Sequence, residues 1–367
     1  MEEIFNFADE LGPAKMVHIH RPRAGLKAVV AIDNVACGPA IGGVRMAPDV
    51  SAQEAFRLAR AMTLKNAAAG LAHGGGKAVI YGDPAMPPGD KERVIRAFAG
   101  AIAELADYIP GPDMGTDERA MAWIHDEIHR SVGLPRQLGG IPLDEIGATG
   151  FGLAAAIDVA QKHIGLNLRG ARLAVQGFGS VGKHAARFLS RHGVVLVAAS
   201  DTSGTLADAN GLDIGELIAL KDRGEPLAAY PRGQKLPLDA IVDVACEIWI
   251  PAARPDVLHA DNAGRLQTRV VAEGANIPAT PEAEQVLAQR GILVLPDFIA
   301  NAGGVICAAV EYHGGSETQA FAAIDEKIRA NVRAVLDEAA RTKLLPRAAA
   351  VAMAEQRVRS AMQLRRW

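Results

Sequence analysis

The sequence predicts an α/β protein of two domains, one of them built on a doubly wound, mostly parallel sheet. Three observations support this prediction. The chain has 367 residues, more than one hydrophobic core usually serves. A stretch rich in glycine and proline, residues 133–152, indicates a domain junction. Beyond it, "ARLAVQGFGSVGKHAARFLSRHGVVLVAASD" (171–201) is typical of a strand, a glycine turn, a helix and a second strand, the alternation of a parallel sheet covered on both faces.

The composition excludes several classes of protein. Apolar residues make up 49% of the chain and the formal net charge is −3, so we expect neither a nucleic-acid partner nor a membrane surface. No apolar run approaches the ~18 residues that a membrane span needs. The chain has 3 cysteines with no metal-binding or disulfide spacing, which fits a reducing cytoplasm and predicts no metal.

The first third of the chain mixes strands and helices. Strands are predicted at 27–33 and 77–82. A helix at 51–71 is predicted from apolar residues at helical spacing, with Ser51 and Glu54 as a capping box at its start. A second predicted helix begins at Asp90, and together these elements form a first domain.

The domain boundary is placed at residue 139. Residues 1–139 are assigned to substrate binding and oligomerisation, and residues 140–344 to dinucleotide binding. The last helix, 345–367, is expected to pack back onto the first domain. Further strands are predicted at 247–251, 268–273 and 291–295, and further helices at 316–341 and 346–363.

Gly177, Gly179 and Gly182 form a G-x-G-x-x-G motif between a predicted strand and a predicted helix. The first glycine permits a tight turn, the second lets the backbone approach a pyrophosphate, and the third lets the helix pack on the strand. The amide groups at the helix N-terminus add a positive dipole end. We therefore predict a nicotinamide dinucleotide and hydride transfer.

The choice between NAD and NADP depends on the end of the next strand. Asp201 stands 19 residues after Gly182, where an acid usually accepts hydrogen bonds from the adenine ribose and disfavours a 2′-phosphate. Thr202 and Ser203 follow it with hydroxyl groups that could hold a phosphate. NAD is predicted, and NADP remains possible.

Two lysines and one aspartate are the candidate catalytic groups. Lys77 stands between Gly74-Gly75-Gly76 and an apolar run, so we expect it to be desolvated, with a lowered pKa suited to acid–base work. The glycines are expected to let a small ligand approach the backbone. Lys65 shares an apolar helix face and could simply extend its ammonium to solvent. Asp113 lies in a turn, where it or Thr116 could instead cap the following helix.

At this point the chain resembles the glutamate/leucine/phenylalanine/valine dehydrogenase family. The resemblance rests on segments that run in family order from about 38 to 306: "GPAIGGVRMAP", "MTLKNAAAGLAHGGGKAVI", "PGPDMGT", "GATGFG", "VQGFGSVG", "AEGANIP" and "NAGGVI". The length is similar to that of the shorter leucine/phenylalanine branch. The segments "PGPDMGTDERAMAWIHDEI" and "AEGANIP" are more similar in sequence to glutamate dehydrogenases than to leucine dehydrogenases.

The resemblance implies roles for individual residues. Lys65 would bind the substrate α-carboxylate, Lys77 would position water and stabilise the carbinolamine, and Asp113 would exchange protons with the substrate nitrogen. It implies a substrate site that also includes Gly42, Gly43, Met62, Ile41, Gly111, Asn276, Asn301, Val305 and Ala308. It implies cofactor contacts from Thr149, Gly177, Phe178, Gly179, Ser180, Val181, Gly182, Asp201, Thr202 and Asn276.

The substrate side chain is predicted to be apolar. In the glutamate-specific members a lysine and a serine stand where this chain has Ile41 and Ala308, and a buried carboxylate there would lack a partner at a cost of several kcal/mol. Gly111 and Ala308 are small and could leave room for a phenylalanine-sized side chain; leucine, valine and methionine remain open. His73, before the glycine run, could line this site or be a structural turn residue.

The expected activity is NAD(P)-dependent oxidative deamination of an apolar L-amino acid to a 2-oxo acid and ammonia, and its reverse. The resemblance implies an active site in a cleft between the domains, a homo-oligomer and a cytoplasmic enzyme. Two alternatives remain. One is a glutamate dehydrogenase with a different γ-carboxylate site, and the other is a dinucleotide-sensing protein without turnover, which would not need Lys65, Lys77 and Asp113 together.

Overall fold

The structure is a computed structural model that describes residues 6–365, and the chain forms two compact units. Of the described residues, the first unit comprises 6–143 together with 305–320 and 351–365. The second comprises 144–304 and 321–350. The sequence-based boundary placed 305–320 in the dinucleotide-binding domain, whereas in the structure this segment lies in the first unit.

A five-stranded mixed sheet is the centre of the first unit. Its strands lie in the order β1-β2-β4-β3-β5; β4 runs antiparallel to β2 and parallel to β3, and β3 runs parallel to β5. The strands are β1 (Lys15–Arg21), β2 (Leu26–Asn34), β3 (Ala40–Ala47), β4 (Gly74–Tyr81) and β5 (Tyr108–Pro112). The two predicted strands correspond to β2 and β4, although β4 begins three residues earlier than expected, inside the glycine run.

Helices cover both faces of this sheet. One face packs with α2 and α3 around Phe98, Tyr108 and Met121, and the other packs against α1 through a smaller group that includes Val79. The helices of the first unit include α1 (Ala52–Ala68), α2 (Pro88–Ala101) and α3 (Glu118–Ile128).

The helix starts show why two sequence predictions were only partly right. Ser51 caps α1 by accepting a hydrogen bond from the Glu54 amide, as predicted, but the Glu54 carboxylate pairs with Arg45. Helix α2 begins at Pro88 and not at Asp90, because proline has a suitable φ for the first turn and needs no amide partner there.

The second unit contains a seven-stranded sheet with the order β12-β11-β10-β6-β7-β8-β9. Strands β12, β11, β10, β6 and β7 are parallel, and β8 continues the sheet antiparallel to both β7 and β9. The strands are β6 (Arg172–Gln176), β7 (Val195–Asp201), β8 (Gly204–Ala207), β9 (Gln234–Leu236), β10 (Ile248–Pro251), β11 (Val270–Ala272) and β12 (Leu293–Leu295).

The strand order reverses beside β6, because the chain passes from β6 to β7 on one side and later returns to β10 on the other. In doubly wound sheets, ligands bind outside the carboxyl ends of the strands at such a point. The remaining helices are α4 (Leu143–Ile146), α5 (Ala148–His163), α6 (Ser180–Ser190), α7 (Ile214–Asp222), α8 (Ala260–Ala263), α9 (Pro281–Gln289), α10 (Asp297–Ala300), α11 (Gly303–Tyr312), α12 (Glu317–Thr342) and α13 (Pro346–Gln363).

The two-domain α/β architecture agrees with the prediction. Within residues 6–365, no helix has the length and apolar character needed to cross a bilayer.

Candidate active site

One face of the first sheet carries the candidate catalytic residues. Side chains alternate along a strand, so Ile41, Gly43 and Arg45 of β3 share a face, away from the core residues Val44 and Met46. In the register, Ile41 is opposite Ile109 of β5 and Gly43 is opposite Gly111. Continuing this alternation places Asp113, just after β5, on the same face. Lys77 of β4 also lies on the face away from that core, because the next residue, Ala78, and Ile80 belong to the core.

Lys77 and Asp113 meet on this face as an ion pair. The Lys77 side chain is 8% exposed and that of Asp113 is 22% exposed. Burial lowers the pKa of Lys77 against the opposing attraction of Asp113, as the sequence predicted. Burial alone would raise the pKa of Asp113, but the charges of Lys77 and Arg45 outweigh it and hold that pKa below its usual range. The two groups therefore influence each other's titration, which was also predicted.

Arg45 is a residue of the candidate site that the sequence reasoning missed. Its Nε atom donates to Asp113 Oδ2 at 3.2 Å and its Nη1 atom donates to Glu54 Oε1 at 2.5 Å. Asp113 thus lies between two cations. The signal in the sequence was the Gly-Gly-x-Arg spacing, which puts Arg45 on the same strand face as Gly43.

Gly43 leaves the space that this ion pair occupies. A Cβ atom added there would lie 2.7 Å from Asp113 Cβ and 3.2 Å from Lys77 Nζ. The turn after β5 is held by Thr116, whose hydroxyl accepts from the Asp113 amide and donates to the carbonyl of Val44. Helix α3 is capped by Asp117, so neither Asp113 nor Thr116 is its cap.

The glycine run before Lys77 has a different role from the one expected. Gly74, Gly75 and Gly76 belong to β4 and are buried, and they do not form an open turn. Added Cβ atoms would lie 1.8 Å from the carbonyl oxygen of Asn34, 2.0 Å from the amide of Thr63 and 2.9 Å from the Tyr108 ring. The glycines therefore let neighbouring backbone and helix α1 approach the strand closely, and they leave no room there for a ligand.

An apolar cluster continues the same sheet face. It consists of Ile41, Ile109, Val132 and Ala308, all buried, with Tyr312 packed against them. It includes both positions at which the family resemblance placed the substrate side chain.

Val132 borders the room expected beside Gly111. A Cβ atom at Gly111 would lie 3.1 Å from Val132 Cγ2. The space that this glycine was expected to leave for a phenylalanine-sized side chain is therefore limited on the side of Val132.

His73 lies beside the apolar cluster and is 1% exposed. Its Nδ1 atom is 3.1 Å from the Pro39 carbonyl oxygen, so Nδ1 donates, and its Nε2 atom is 3.2 Å from His313 Nε2. Its ring meets that of Tyr312 edge-on, with centroids 5.7 Å apart. Burial lowers the pKa of His73. These contacts with Pro39, His313 and Tyr312 favour the interpretation of His73 as a structural residue that packs against Tyr312.

The other predicted substrate residues of the first unit lie on three elements. Lys65 and Met62 are half-buried on α1, and Gly42 is buried in β3, where its carbonyl accepts from the Tyr108 hydroxyl at 2.9 Å. Val305 is half-buried on α11, one turn before Ala308.

The glycine turn of the second unit fits a dinucleotide. Gly177 has φ +94°, which favours glycine, and a Cβ atom at Gly182 would lie 2.1 Å from the Gly177 carbonyl oxygen. A Cβ atom at Gly179 would meet nothing within 4 Å, so the backbone is open there to a pyrophosphate. Helix α6 begins at Ser180 with no side-chain cap for its first amides. Phe178 is buried below the turn, and Val181 follows in the first turn of α6.

Asp201 ends β7 as predicted, but protein donors already surround its carboxylate. Oδ2 accepts from Lys221 Nζ at 2.7 Å and from the Leu227 amide at 2.9 Å, and Oδ1 accepts from the amide and hydroxyl of Ser203. Burial opposes ionisation of Asp201, yet these donors lower its pKa to about 2. Thr202 is exposed beside it. The negative charge of Asp201, the residue expected to bind the ribose, is thus compensated by Lys221.

Asn276 and Asn301 form a second pair in this unit. Asn301 Nδ2 donates to Asn276 Oδ1 at 3.2 Å and to the carbonyl of Ala275 at 3.2 Å. Asn301 is buried, and its Oδ1 atom has no hydrogen-bond partner among the described residues. Such an orphaned acceptor suits an amide-bearing ligand.

The backbone next to this pair is strained, because Ile277 has φ +50°. Thr149 stands at the start of α5, where a Cβ atom on Gly303 would lie 3.1 Å from the Thr149 Cα atom.

The second unit has a doubly wound sheet with an open glycine turn, and the first unit buries a lysine–aspartate pair. Both features are typical of dinucleotide-dependent dehydrogenases. The family described as "Glutamate/Leucine/Phenylalanine/Valine dehydrogenase" matches residues 139–366, and its "dimerisation domain" matches residues 13–130. The chain therefore belongs to this family of amino-acid dehydrogenases, whose cofactor is NAD or NADP.

Relatives of known structure or name agree with this placement. The glutamate dehydrogenase of Aeropyrum pernix is 37% identical over 358 residues, covering 91% of this chain and 85% of the relative. The leucine-bound hetero-hexameric glutamate dehydrogenase of Thermus thermophilus has a TM-score of 0.86 and 31% identity, covering 97% and 90%. The L-tryptophan dehydrogenase of Nostoc punctiforme has a TM-score of 0.77 and 27% identity, covering 98% and 99%. These comparisons do not confirm the expected leucine/phenylalanine branch.

Proposed function

We propose that the protein catalyses the NAD(P)-dependent oxidative deamination of an apolar L-amino acid to its 2-oxo acid and ammonia, and the reverse reductive amination. The observation that supports this most strongly is the buried Lys77–Asp113 ion pair, next to an apolar cluster on one face of the first sheet.

The residues of the first unit have complementary roles in this proposal. Lys65 binds the substrate α-carboxylate. Lys77 orients the water that adds to the imine carbon and stabilises the developing oxyanion of the carbinolamine, while Asp113 exchanges a proton with the substrate nitrogen. Arg45 keeps Asp113 ionised between turnovers, since its guanidinium lowers the pKa of that carboxyl.

The residues of the second unit would hold the cofactor in this proposal. The backbone at Gly179 and the first amides of α6 would receive the pyrophosphate, and the Asn276–Asn301 pair would orient the carboxamide end. A bound nicotinamide would supply the acceptor for the hydride of the substrate Cα atom.

The apolar side chain is favoured by the composition of the cluster. Its members Ile41, Ile109, Val132 and Ala308 offer no hydrogen-bond donor to a carboxylate. The nearby Arg130 directs Nε and Nη2 to four backbone carbonyls, those of Tyr108, Ile102, Ala103 and Leu105, so these two nitrogen atoms are engaged by the chain itself. Burying a γ-carboxylate here would carry a desolvation cost that no side chain of the cluster offsets.

Glutamate is the second candidate substrate. It is favoured by the relatives, because the Aeropyrum and Thermus proteins are both named glutamate dehydrogenases. The tryptophan dehydrogenase shows that an apolar substrate also occurs on this fold.

One assay separates these candidates. NADH and NADPH absorbance is followed with ammonia and a panel of 2-oxo acids that includes 2-oxoglutarate, 4-methyl-2-oxopentanoate and phenylpyruvate. The proposal expects the highest kcat/KM with an apolar 2-oxo acid. A highest value with 2-oxoglutarate would establish the glutamate reading, and NADH binding without any oxidation would favour the dinucleotide sensor.

We also propose a homo-oligomer that associates through the first unit. The family's dimerisation domain matches residues 13–130, and β1 is an edge strand with a largely exposed surface. Light scattering of the purified protein is expected to give a mass of at least twice 38.5 kDa. A monomer at working concentration would contradict this.

A further inference from the structure

Val132 and Tyr312 limit the space at the apolar cluster. Two of the residues there, Gly111 and Ala308, have small side chains, from which the sequence predicted additional room for the substrate. Val132 borders the position beside Gly111, where its Cγ2 atom would lie 3.1 Å from an added Cβ atom, and Tyr312 packs on the cluster from the end of α11. The width of this region therefore depends on residues outside the motifs that indicated the site.

Glu311 fixes these two limiting residues relative to each other. Its Oε1 atom accepts from the Leu134 amide at 3.0 Å and its Oε2 atom accepts from the Ile141 amide at 2.8 Å. Leu134 is two residues beyond Val132, and Tyr312 directly follows Glu311. One carboxylate thus ties the segment that carries Val132 to the helix end that carries Tyr312.

A second tie holds the same helix end. His313 Nε2 is 3.2 Å from His73 Nε2, and His73 Nδ1 donates to the carbonyl of Pro39, two residues before Ile41. The Tyr312 ring stands edge-on to the His73 ring. The three consecutive residues 311–313 therefore hold this helix end at three places. Glu311 binds the segment after Val132, Tyr312 packs on the apolar cluster, and His313 contacts His73, which binds the chain just before β3.

We propose that Val132 and Tyr312 are specificity-determining residues that restrict the enzyme to compact aliphatic side chains, and that Glu311 is the positioning residue that holds them. This inference rests on the proposed function and goes further, because it selects among apolar substrates. Leucine and valine fit a region limited in this way, whereas an aromatic ring requires the space that Val132 and Tyr312 occupy.

The test compares kcat/KM for phenylalanine with that for leucine. The wild type is expected to prefer leucine. Val132→Ala is expected to raise the phenylalanine-to-leucine ratio by about tenfold or more, since one or two methyl groups carry discrimination of that order. Val197→Ala, a buried valine of the second unit, is the matched control and should leave the ratio unchanged. Tyr312→Leu is the second variant and should shift the ratio in the same direction, while Tyr312→Phe should not.

Glu311 is tested by a split between KM and kcat. Glu311→Ala is expected to raise KM for leucine and to increase the phenylalanine-to-leucine ratio of kcat/KM, while kcat stays within about threefold. Glu311→Gln should recover part of the wild-type behaviour, because its amide oxygen accepts one of the two hydrogen bonds. Intact turnover with an unchanged ratio in Val132→Ala and Tyr312→Leu would overturn this inference alone. Wild-type preference for phenylalanine would also overturn it. Absence of turnover with every amino acid would overturn the proposed function as well.

Discussion

The ammonium group of Lys77 and the carboxylate of Asp113 form an ion pair on one face of the first sheet, and Arg45 makes a second contact with the same carboxylate. The pairing joins residues from β4 and from the turn after β5, which are not neighbours in the sheet. Gly43 of β3 lies between them and has no side chain to separate them. The chemistry proposed for this protein depends on this arrangement.

The first prediction concerns pH. Arg45→Gln removes one of the two cations that lower the pKa of Asp113, so that pKa should rise. The acidic limb of the pH profile of kcat/KM is therefore expected to move to higher pH. Asp113→Asn removes the attraction that opposes burial at Lys77, so the basic limb should move to lower pH, with kcat reduced by about 10²–10⁴. Unmoved limbs in both variants would show that these groups do not titrate in catalysis.

The second prediction concerns Gly43. Gly43→Ala places a methyl group 2.7 Å from Asp113 Cβ and 3.2 Å from Lys77 Nζ, so the ion pair must separate. We expect kcat to fall at least about 100-fold while the dissociation constant for NADH, measured by fluorescence, stays unchanged. The control is Gly100→Ala in α2, where a Cβ atom meets nothing within 4 Å and should stabilise the helix by about 0.5–1 kcal/mol. Wild-type kcat in Gly43→Ala would argue against the geometry.

The third prediction concerns the cofactor. Because Lys221 compensates the charge of Asp201, we expect the wild type to bind NADH and NADPH with dissociation constants within about tenfold of each other. Lys221→Ala leaves the carboxylate uncompensated, so NADPH binding should weaken at least about tenfold and NADH binding much less. Lys162→Ala, an exposed lysine of α5, is the control. If fluorescence titrations show that Lys221→Ala loses affinity equally for NADH and NADPH, the proposed role of Lys221 is contradicted.

The fourth prediction concerns a buried charge cluster in the second unit. Arg347 contacts the carboxylates of Glu273, Glu284 and Asp297 at 2.6, 2.6 and 2.8 Å. Asp297 also accepts from the Ile277 amide, so the cluster holds the loop next to Asn276. Arg347→Met removes the cation that these buried carboxyl groups share and should cost about 3–5 kcal/mol in the free energy of unfolding, measured in urea.

The partner variant in this cluster is Glu273→Gln. Burial raises the pKa of Glu273 well above its ordinary value. A carboxyl group with a raised pKa in the folded state destabilises folding progressively as pH rises above its unfolded pKa of about 4.3. Glu273→Gln removes this cost, so its stability relative to the wild type should increase from pH 5 to pH 8. A constant difference over that range would show that Glu273 is not protonated in the folded protein.

Local patterns predicted much of the fold. The glycine motif at 177–182, the helix at 51–71 and the last two helices were predicted because their signals lie within one turn or one strand. The burial of Lys77 was predicted for the same reason, since the apolar run follows it directly. The resemblance to the family supplied Asp113, which the sequence left open as a possible helix cap.

Long-range pairing accounts for what the sequence did not show. Arg45 was missed because its partner Asp113 is 68 residues away, and only the pairing of β3 with β5 brings them to one face. The glycine run was taken for an open turn because three glycines carry no information about the strands and the helix that pack on them. Val132 and Tyr312 lie outside every motif, and only the folded first unit places them on the apolar cluster.

The most direct test of the central claim is the turnover of Lys77→Ala with the best substrate of the wild type. Asp113 keeps Arg45 as a partner in this variant, so folding and NADH binding should be preserved, with the dissociation constant within about threefold of the wild type. The account predicts a loss of kcat of at least about 1,000-fold under these conditions. A Lys77→Ala variant that binds NADH normally and retains most of its kcat would contradict it.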